Sequence, residues 1–314
     1  MGLRRTYKER FMARAKNQER NRQPSKPKND IIYCVYHEKD LDGIMSAAIV
    51  CSEYENVKLI PYDYGKRFPM ICIKPGSLVF MLDICLPEKK MRLLDSVCDL
   101  YLIDHHPKTI NNAFCKTLKG SLRYGLAACV LTWVFFHPYA KIPEGIKLLG
   151  YYDVWDQSDM KLWEERTLPF QFGCRQFPND PKSNIYGQII ESNKEVIDEI
   201  VYEGGVILRY EKKQAAFMME KYSYEKTLLV DNIPYNVLVI NRQLVGSDFF
   251  MSKLNKKKHA FCIAYQECDG VYNYSLRSWK GGVEVNKVAK FFDENGGGHK
   301  YAAGFTLNKN ILTE

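Results

Sequence analysis

Leu100-Tyr101-Leu102-Ile103-Asp104-His105-His106-Pro107 opens with four apolar residues and closes on an acid, two imidazoles and a proline. A short apolar run bounded by polar residues reads as a buried strand. Pro107 has no amide hydrogen to extend a ladder, so the strand stops before it. The acid and imidazoles therefore stand at the carboxyl end of a strand, the edge where open α/β sheets bind ligands. Three consecutive side chains cannot share one face, so the triplet straddles strand end and loop. Taken alone, it reads equally as an Asp capping the next turn beside two incidental histidines, or as a metal site. The flanking sequence breaks the tie.

Upstream, Ile31-Ile32-Tyr33-Cys34-Val35-Tyr36 is a continuous apolar strand running into His37-Glu38-Lys39-Asp40-Leu41-Asp42-Gly43, and a helical pattern follows over Ile44 to Val50. Val57 to Tyr62 and Leu78 to Leu82 read as further strands, the second ending at Asp83. Pro87 starts a helix through Val97. Downstream, Ser121 to Phe136 predicts an apolar helix, and Pro143 opens another over Ile146 to Tyr152 that leads into Asp153-Val154-Trp155-Asp156. Strands alternating with helices predict an α/β fold whose mostly parallel sheet carries helices on both faces.

Residues from about 157 to 182, with Pro169, Pro178 and Pro181, read as loop-rich. Ile185 to Tyr222 is charged and amphipathic, interrupted at Gly204-Gly205, and predicts a helical connector. Further on come strands at Val237 to Ile240, Ala260 to Tyr265 and Tyr272 to Ser278, then a helix from Val285 to Phe292. Gly296-Gly297-Gly298-His299 follows as an interruption before a last strand. The expected division is a basic flexible tail over 1–30, an α/β domain over 31–182, a helical connector over 183–225 and a smaller α/β domain over 226–314.

The chain has 314 residues, 46% hydrophobic and 26% charged, and a formal net charge of +8. Ten basic and three acidic residues in the first thirty carry +7 of that, so the remainder is near neutral. The tail has little to bury; it reads as a solubilising extension, or as a polyanion contact working by counterion release. No apolar run approaches the roughly 20 residues of a membrane span. The amino terminus has no signal-peptide core. Ten cysteines occur singly, with no C-x-x-C pair, which fits reduced thiols in the cytoplasm better than a disulfide scaffold or zinc ribbon.

Three strands thus end in acids or imidazoles: Asp40 and Asp42, then Asp83, then Asp104, His105 and His106. Asp153 follows a helix. Converging carboxylates repel one another, and divalent cations relieve this. Mixed carboxylate and imidazole ligands suit Mn²⁺, with Mg²⁺, Co²⁺ or Zn²⁺ compatible. Two such ions a few Å apart form a clamp for phosphoryl chemistry. Gly43 is expected at a sharp turn into the helix.

These residues resemble a known family. His37…Asp40-x-Asp42-Gly43, Asp83 after its strand, Asp104-His105-His106 and Asp153 are similar to the four ordered motifs of the DHH phosphoesterases. Ser275-Leu276-Arg277-Ser278…Gly296-Gly297-Gly298-His299-Lys300-Tyr301-Ala302-Ala303-Gly304-Phe305 resembles the DHH-associated domain. The likeness spans about residues 31 to 307. It departs at the first motif, where two residues rather than three separate His37 from Asp40. The resemblance implies two divalent cations, Mn²⁺ first. His37, Asp40 and Asp83 would hold one, and Asp42, Asp83, His105 and Asp153 the other, with Asp83 bridging. It gives Asp104 the task of orienting His105, and His106 that of reaching the scissile phosphate. Asp156 is left as a supporting acid or helix cap.

The glycine run suits close approach of backbone amides to an anion, and Arg277 offers a planar fork for phosphate. Arg277, Ser278, Gly296, Gly297, Gly298 and His299 are thus the expected substrate contacts; the competing reading is a tight turn with Arg277 solvated. Trp155, Trp163 and Trp279 are base-stacking or packing residues, with Trp279 favoured for stacking. His137 and His259 read as ordinary surface residues. The expected activity is metal-dependent hydrolysis of short oligonucleotides to nucleoside monophosphates. Cyclic or linear dinucleotides and 3′-phosphoadenosine 5′-phosphate are the alternative substrates, ahead of long single strands cut in the RecJ manner. The expected partners are short single-stranded RNA or DNA, or a dinucleotide, with no membrane; a homodimer is compatible. A non-catalytic RNA-binding module is the competing class.

Overall fold

A computed structural model describes Pro24, residues 31–242 and residues 246–312. The basic tail, for which a polyanion contact was one expectation, lies outside the described residues apart from Pro24. The chain divides into two units, the first ending at Leu208 and the second starting at Arg209.

The first unit is built on a five-stranded, wholly parallel sheet: β1 (Ile32–His37), β2 (Val57–Tyr62), β3 (Leu78–Leu82), β4 (Asp99–Asp104) and β5 (Lys119–Leu122). The order is β2-β1-β3-β4-β5. Register pairs Tyr33 with Val79, and Val79 with Leu100. The continuous apolar runs follow from burial on both faces. Cys34, Tyr36, Phe80, Leu82, Tyr101 and Ile103 point into one core, and Tyr33, Val35, Val79, Met81, Leu100 and Leu102 into the other. The first core is closed by α1 (Leu41–Glu53), α3 (Ala128–Phe136) and α4 (Glu144–Asp153), the second by α2 (Glu88–Val97) and the segment around Phe68 and Ile73. Phe80 anchors the first core, with the rings of Tyr54, Tyr101, Phe135 and Phe136 around it. The α/β sheet covered on both faces is thus as expected.

Three local expectations fail, each for a physical reason. Ser121 to Phe136 is not one helix: Lys119–Leu122 pairs with β4 as the edge strand, and Gly125, at φ 80°, breaks the chain before α3. Residues 157–182 are not mainly loop: a helical run covers Met160 to Cys174, ending in α5 (Leu168–Cys174) with Pro169 in its first turn, where a missing amide costs nothing. Nor do Gly204 and Gly205 interrupt a helix; α6 (Lys194–Tyr222) runs through them. A Cβ on Gly204 would stand 1.8 Å from the Pro169 carbonyl oxygen and 2.5 Å from the Gly173 nitrogen. That glycine lets α6 lie directly on α5.

The second unit carries a six-stranded mixed sheet: β6 (Tyr224–Val230), β7 (Ile233–Asn241), β8 (Phe261–Cys268), β9 (Val271–Arg277), β10 (Gly297–His299) and β11 (Ala302–Leu307), ordered β10-β11-β9-β8-β7-β6. Only β7 and β8 pair in parallel. Val285, Val288 and Ala289 of α7 (Val285–Phe292) cover one face; Met219 and Phe250 pack on the other. Of the glycine run, Gly297 and Gly298 form β10 with His299 and pair with β11, while Gly296 leads into the strand. His259 is also not a surface residue: it is buried, its Nδ1 accepts from the Asn255 amide, and its Nε2 lies 3.2 Å from Glu225. Among the described residues no helix is long and apolar enough to cross a membrane.

Candidate metal centre

The strand order reverses between β1 and β3, and in doubly wound sheets that switch point is where the strand ends diverge and leave a crevice. The acids and imidazoles expected as metal ligands gather there, with Asp104 and His106. His37 is the last residue of β1, Asp83 follows β3 and Asp104 ends β4.

Asp40 is the N-cap of α1, its Oδ1 accepting from the Gly43 amide at 3.0 Å. Gly43 is not the turn residue expected: it lies within the helix, and a Cβ there would stand 2.2 Å from the His37 carbonyl oxygen. Its lack of a side chain brings the start of α1 back against the end of β1. Asp42 is 2% exposed and is clamped by the first turn of α3, its two oxygens accepting from the Ala128 and Cys129 amides at 2.7 Å each. Free amides at a helix start suit a carboxylate. Asp83 adopts φ 58°, a left-handed conformation uncommon for a residue with a Cβ, and is 1% exposed. Such backbone strain concentrates at functional positions.

The side chains form two overlapping groups. His37 Nδ1 lies 2.7 Å from Asp40 Oδ2 and 3.5 Å from Asp83 Oδ2. His105 Nε2 lies 3.3 Å from Asp83 Oδ1, 3.3 Å from Asp153 Oδ2 and 3.7 Å from Asp42 Oδ2. Yet His37 Nδ1, Asp83 Oδ1, His105 Nε2 and Asp153 Oδ2 are buried atoms without an aligned hydrogen-bond partner. Donors that crowd together without bonding one another are placed for ions between them. Ligand atoms within 4.8 Å of one another occur in the sets His37, Asp40, Asp83; Asp42, His105, Asp153; and Asp83, His105, His106. The donor set, carboxylate oxygen with imidazole nitrogen, fits divalent cations.

The electrostatics point the same way. Burial, then the Asp42 charge, raises the Asp83 carboxyl well above its ordinary range; the same two causes, in the same order, raise Asp153. Burial opposes charge on His37, but Asp40 and Asp83 override it and push the imidazole up to about 10. The cluster is thus a negative pocket whose buried acids favour a bound proton or cation over an uncompensated charge.

Asp104 does not orient His105 as expected. Its Oδ1 accepts from the His106 amide at 2.9 Å and lies 2.8 Å from His106 Nδ1. The sequence offered no way to choose between the two neighbouring rings. Burial opposes charge on His106, but the Asp104 hydrogen bond and the Asp104 and Asp83 charges outweigh it and raise its pKa. Sequence reading missed Asp63, whose Oδ1 is 3.5 Å from His37 Nε2, although an acid one residue beyond β2 lies on the same sheet edge. It also missed the Ala128 and Cys129 amides, which carry no side-chain signal. Asp156 turns away from the cluster, its Oδ1 accepting from the Ser158 amide.

In the second unit, register pairs Arg277 with Ala302 and Ala302 with His299. Directly opposed residues share a face, so Arg277 and His299 stand on one face with a strand between them. Arg277 is half-buried and makes no ion pair among the described residues; its guanidinium donates to the Leu276 carbonyl. Ser278 Oγ is buried without a hydrogen-bond partner. Gly296 and Gly298 have packing reasons of their own: a Cβ would stand 2.6 Å from the Ala289 and Ala302 carbonyl oxygens respectively. Only Gly297 faces open space. Trp163 is buried, Lys256 lies over the Trp279 ring, and Trp155 is 46% exposed.

Residues 241–314 match the DHHA1 domain family. Comparison with curated proteins finds no match. Among solved structures, the DHH domain of a member of the s1p family of ribosomal proteins aligns at 15% identity and TM-score 0.56, covering 87% of this chain and 82% of that one. The pGpG-specific phosphodiesterase PggH from Vibrio cholerae aligns at 11% identity and TM-score 0.50, covering 88% and 93%. Residues 241–314 thus carry the DHHA1 domain, and the parallel sheet of the first unit, edged by ordered acids and imidazoles, has the fold of the DHH-domain structure it aligns with.

Proposed function

We propose that the chain hydrolyses short oligonucleotides to nucleoside monophosphates with two divalent cations, Mn²⁺ by preference. The observation that carries this reading is the convergence of unpartnered buried donors from Asp83, His105 and Asp153 on one point. His37, Asp40 and Asp83 would hold one cation; Asp42, His105 and Asp153, with Asp83 shared, the other. Bound there, such cations supply positive charge to phosphoryl oxygens and water of lowered pKa.

The chain's own residues do the rest. Asp104 takes His106 Nδ1 and leaves Nε2 as the other ring nitrogen, and the Asp104 and Asp83 charges favour the protonated ring. His106 Nε2 then donates to a phosphate oxygen and supports charge developing on the leaving oxygen. Trp155, exposed two residues beyond Asp153, offers a ring for a base. Arg277 and His299 present cationic and hydrogen-bonding groups on one sheet face for a further phosphate, with Ser278 and Gly297 beside them. Gly296 and Gly298 shape the hairpin that carries His299.

The test is a panel in Mn²⁺ of dinucleotides, longer single strands, cyclic dinucleotides, 3′-phosphoadenosine 5′-phosphate and pyrophosphate, with products resolved by size. The reading expects fastest turnover of short linear oligonucleotides and its loss in Asp83→Ala and His106→Ala. Full hydrolysis by both variants removes the catalytic assignment, and RNA binding without hydrolysis by the wild type favours a binding module. PggH, named for its action on pGpG, keeps linear dinucleotides in the same panel.

A further inference from the structure

A cavity of about 560 Å³ opens in the first unit on a face of α4 that the metal centre does not use. Its volume lies within the range of small-molecule pockets, about 300–1,000 Å³. Glu144, Lys147, Leu148 and Tyr151 line it at helical spacing. Asp153 lies six residues beyond Lys147, about 9 Å along the helix and about a third of a turn away around it at 3.6 residues per turn. Whatever sits in the cavity is therefore not in line with the metal ligands.

Lys141, Lys147 and Lys194 converge on this cavity, and none forms an ion pair among the described residues. The single acid in the wall, Glu144, is already paired with Arg166 at 2.8 Å, and Arg166 also holds Asp198 at 2.7 Å. Glu144 acts on Lys147 but is shared with Arg166, so the three lysines outnumber the one acid of the wall. Lys147 is half-buried, and burial, followed by the Lys141 charge, lowers its pKa. Apart from Ser192, the rest of the wall is apolar: Ile142, Leu148 and Leu162, with the half-buried Tyr151 ring. We propose that this cavity is a second ligand site, taking a phosphate monoester with an apolar body of mononucleotide size. The lysines meet the phosphate, and Tyr151 with the aliphatic wall meets the base. The inference does not depend on the reaction proposed above.

The test measures AMP binding to the full chain by calorimetry, in EDTA, with wild type and Asp83→Ala. The proposal expects saturable binding with the same Kd in both, whether or not the chain hydrolyses oligonucleotides. It expects at least tenfold weaker binding of adenosine, which lacks the phosphate, and of inorganic phosphate, which lacks the body. Lys147→Met/Lys194→Met is expected to weaken AMP at least tenfold. Should that variant fail to fold, Lys141→Met/Lys194→Met, at two exposed positions, is expected to do the same. Absence of saturable AMP binding, AMP binding indifferent to the lysine substitutions, or inorganic phosphate binding as tightly as AMP would overturn the proposal.

Discussion

Asp153→Asn keeps the shape of a carboxylate and removes its charge, and its effect on stability changes sign with metal. Without cations, the ligand atoms of Asp42 and Asp153 lie within 4.8 Å of each other. At an effective dielectric constant of about 20, two unit charges at that distance repel by about 3.5 kcal/mol. Burial, then the Asp42 charge, raises the Asp153 carboxyl well above its ordinary range, which favours a proton over that repulsion. A carboxyl raised above its unfolded value makes the folded state bind more protons than the unfolded one, so stability falls as pH rises above the free-carboxyl range. In EDTA at neutral pH the variant is expected to be as stable as wild type or more so, by up to about 3 kcal/mol, and to lose less stability as pH rises. With cation at a hundred times its dissociation constant, wild type gains about 2.7 kcal/mol. At about 2–4 °C per kcal/mol for a unit of this size, that raises Tm by about 5–10 °C. The variant lacks one of the proposed ligands and is expected to gain less than half as much. Scanning calorimetry with EDTA and with Mn²⁺, across pH 5 to 8, reads all four quantities. A variant less stable than wild type in EDTA, or with an equal shift in Mn²⁺, refutes the reasoning.

Three further outcomes follow from the same geometry. His106→Asn is expected to keep the Mn²⁺-induced Tm shift while turnover of a short oligonucleotide falls by about 10²–10⁴-fold, the usual contribution of a positioned acid; equal loss of both would make His106 a ligand instead. Cation binding is expected to release protons, because His37, pushed up to about 10, must give up its proton to ligate; Mn²⁺ titration in weak buffer at pH 8 acidifies wild type, and less so His37→Asn. Gly204→Ala adds helix propensity worth about 1 kcal/mol but places a Cβ 1.8 Å from a backbone oxygen. Overpacking of about 1–3 kcal/mol or more wins, and a lowered denaturation midpoint checks it.

The parallel sheet was legible because its strands are buried on both faces, leaving unbroken apolar runs such as Leu78 to Leu82. The acids at their ends were legible for the same reason, as abrupt polar stops. What escaped is tertiary in origin. Lys119–Leu122 is a strand through its pairing with β4, not through propensity. Gly43 and Gly204 looked like breakers because sequence does not show which backbone a glycine must approach. The partner of Asp104 was decided by which imidazole turned back along the chain, a rotation with no sequence signature. The hold of α3 on Asp42 comes from backbone amides eighty-six and eighty-seven residues away.

The central claim is that one negative pocket binds a pair of cations through a shared Asp83. Equilibrium dialysis of the full chain against Mn²⁺, with protein-bound metal counted directly, tests it without any substrate. Wild type is expected to hold two ions per chain, and Asp83→Ala to lose at least one of them while remaining folded. A wild type that binds no Mn²⁺, or an Asp83→Ala variant that still binds two, would contradict it.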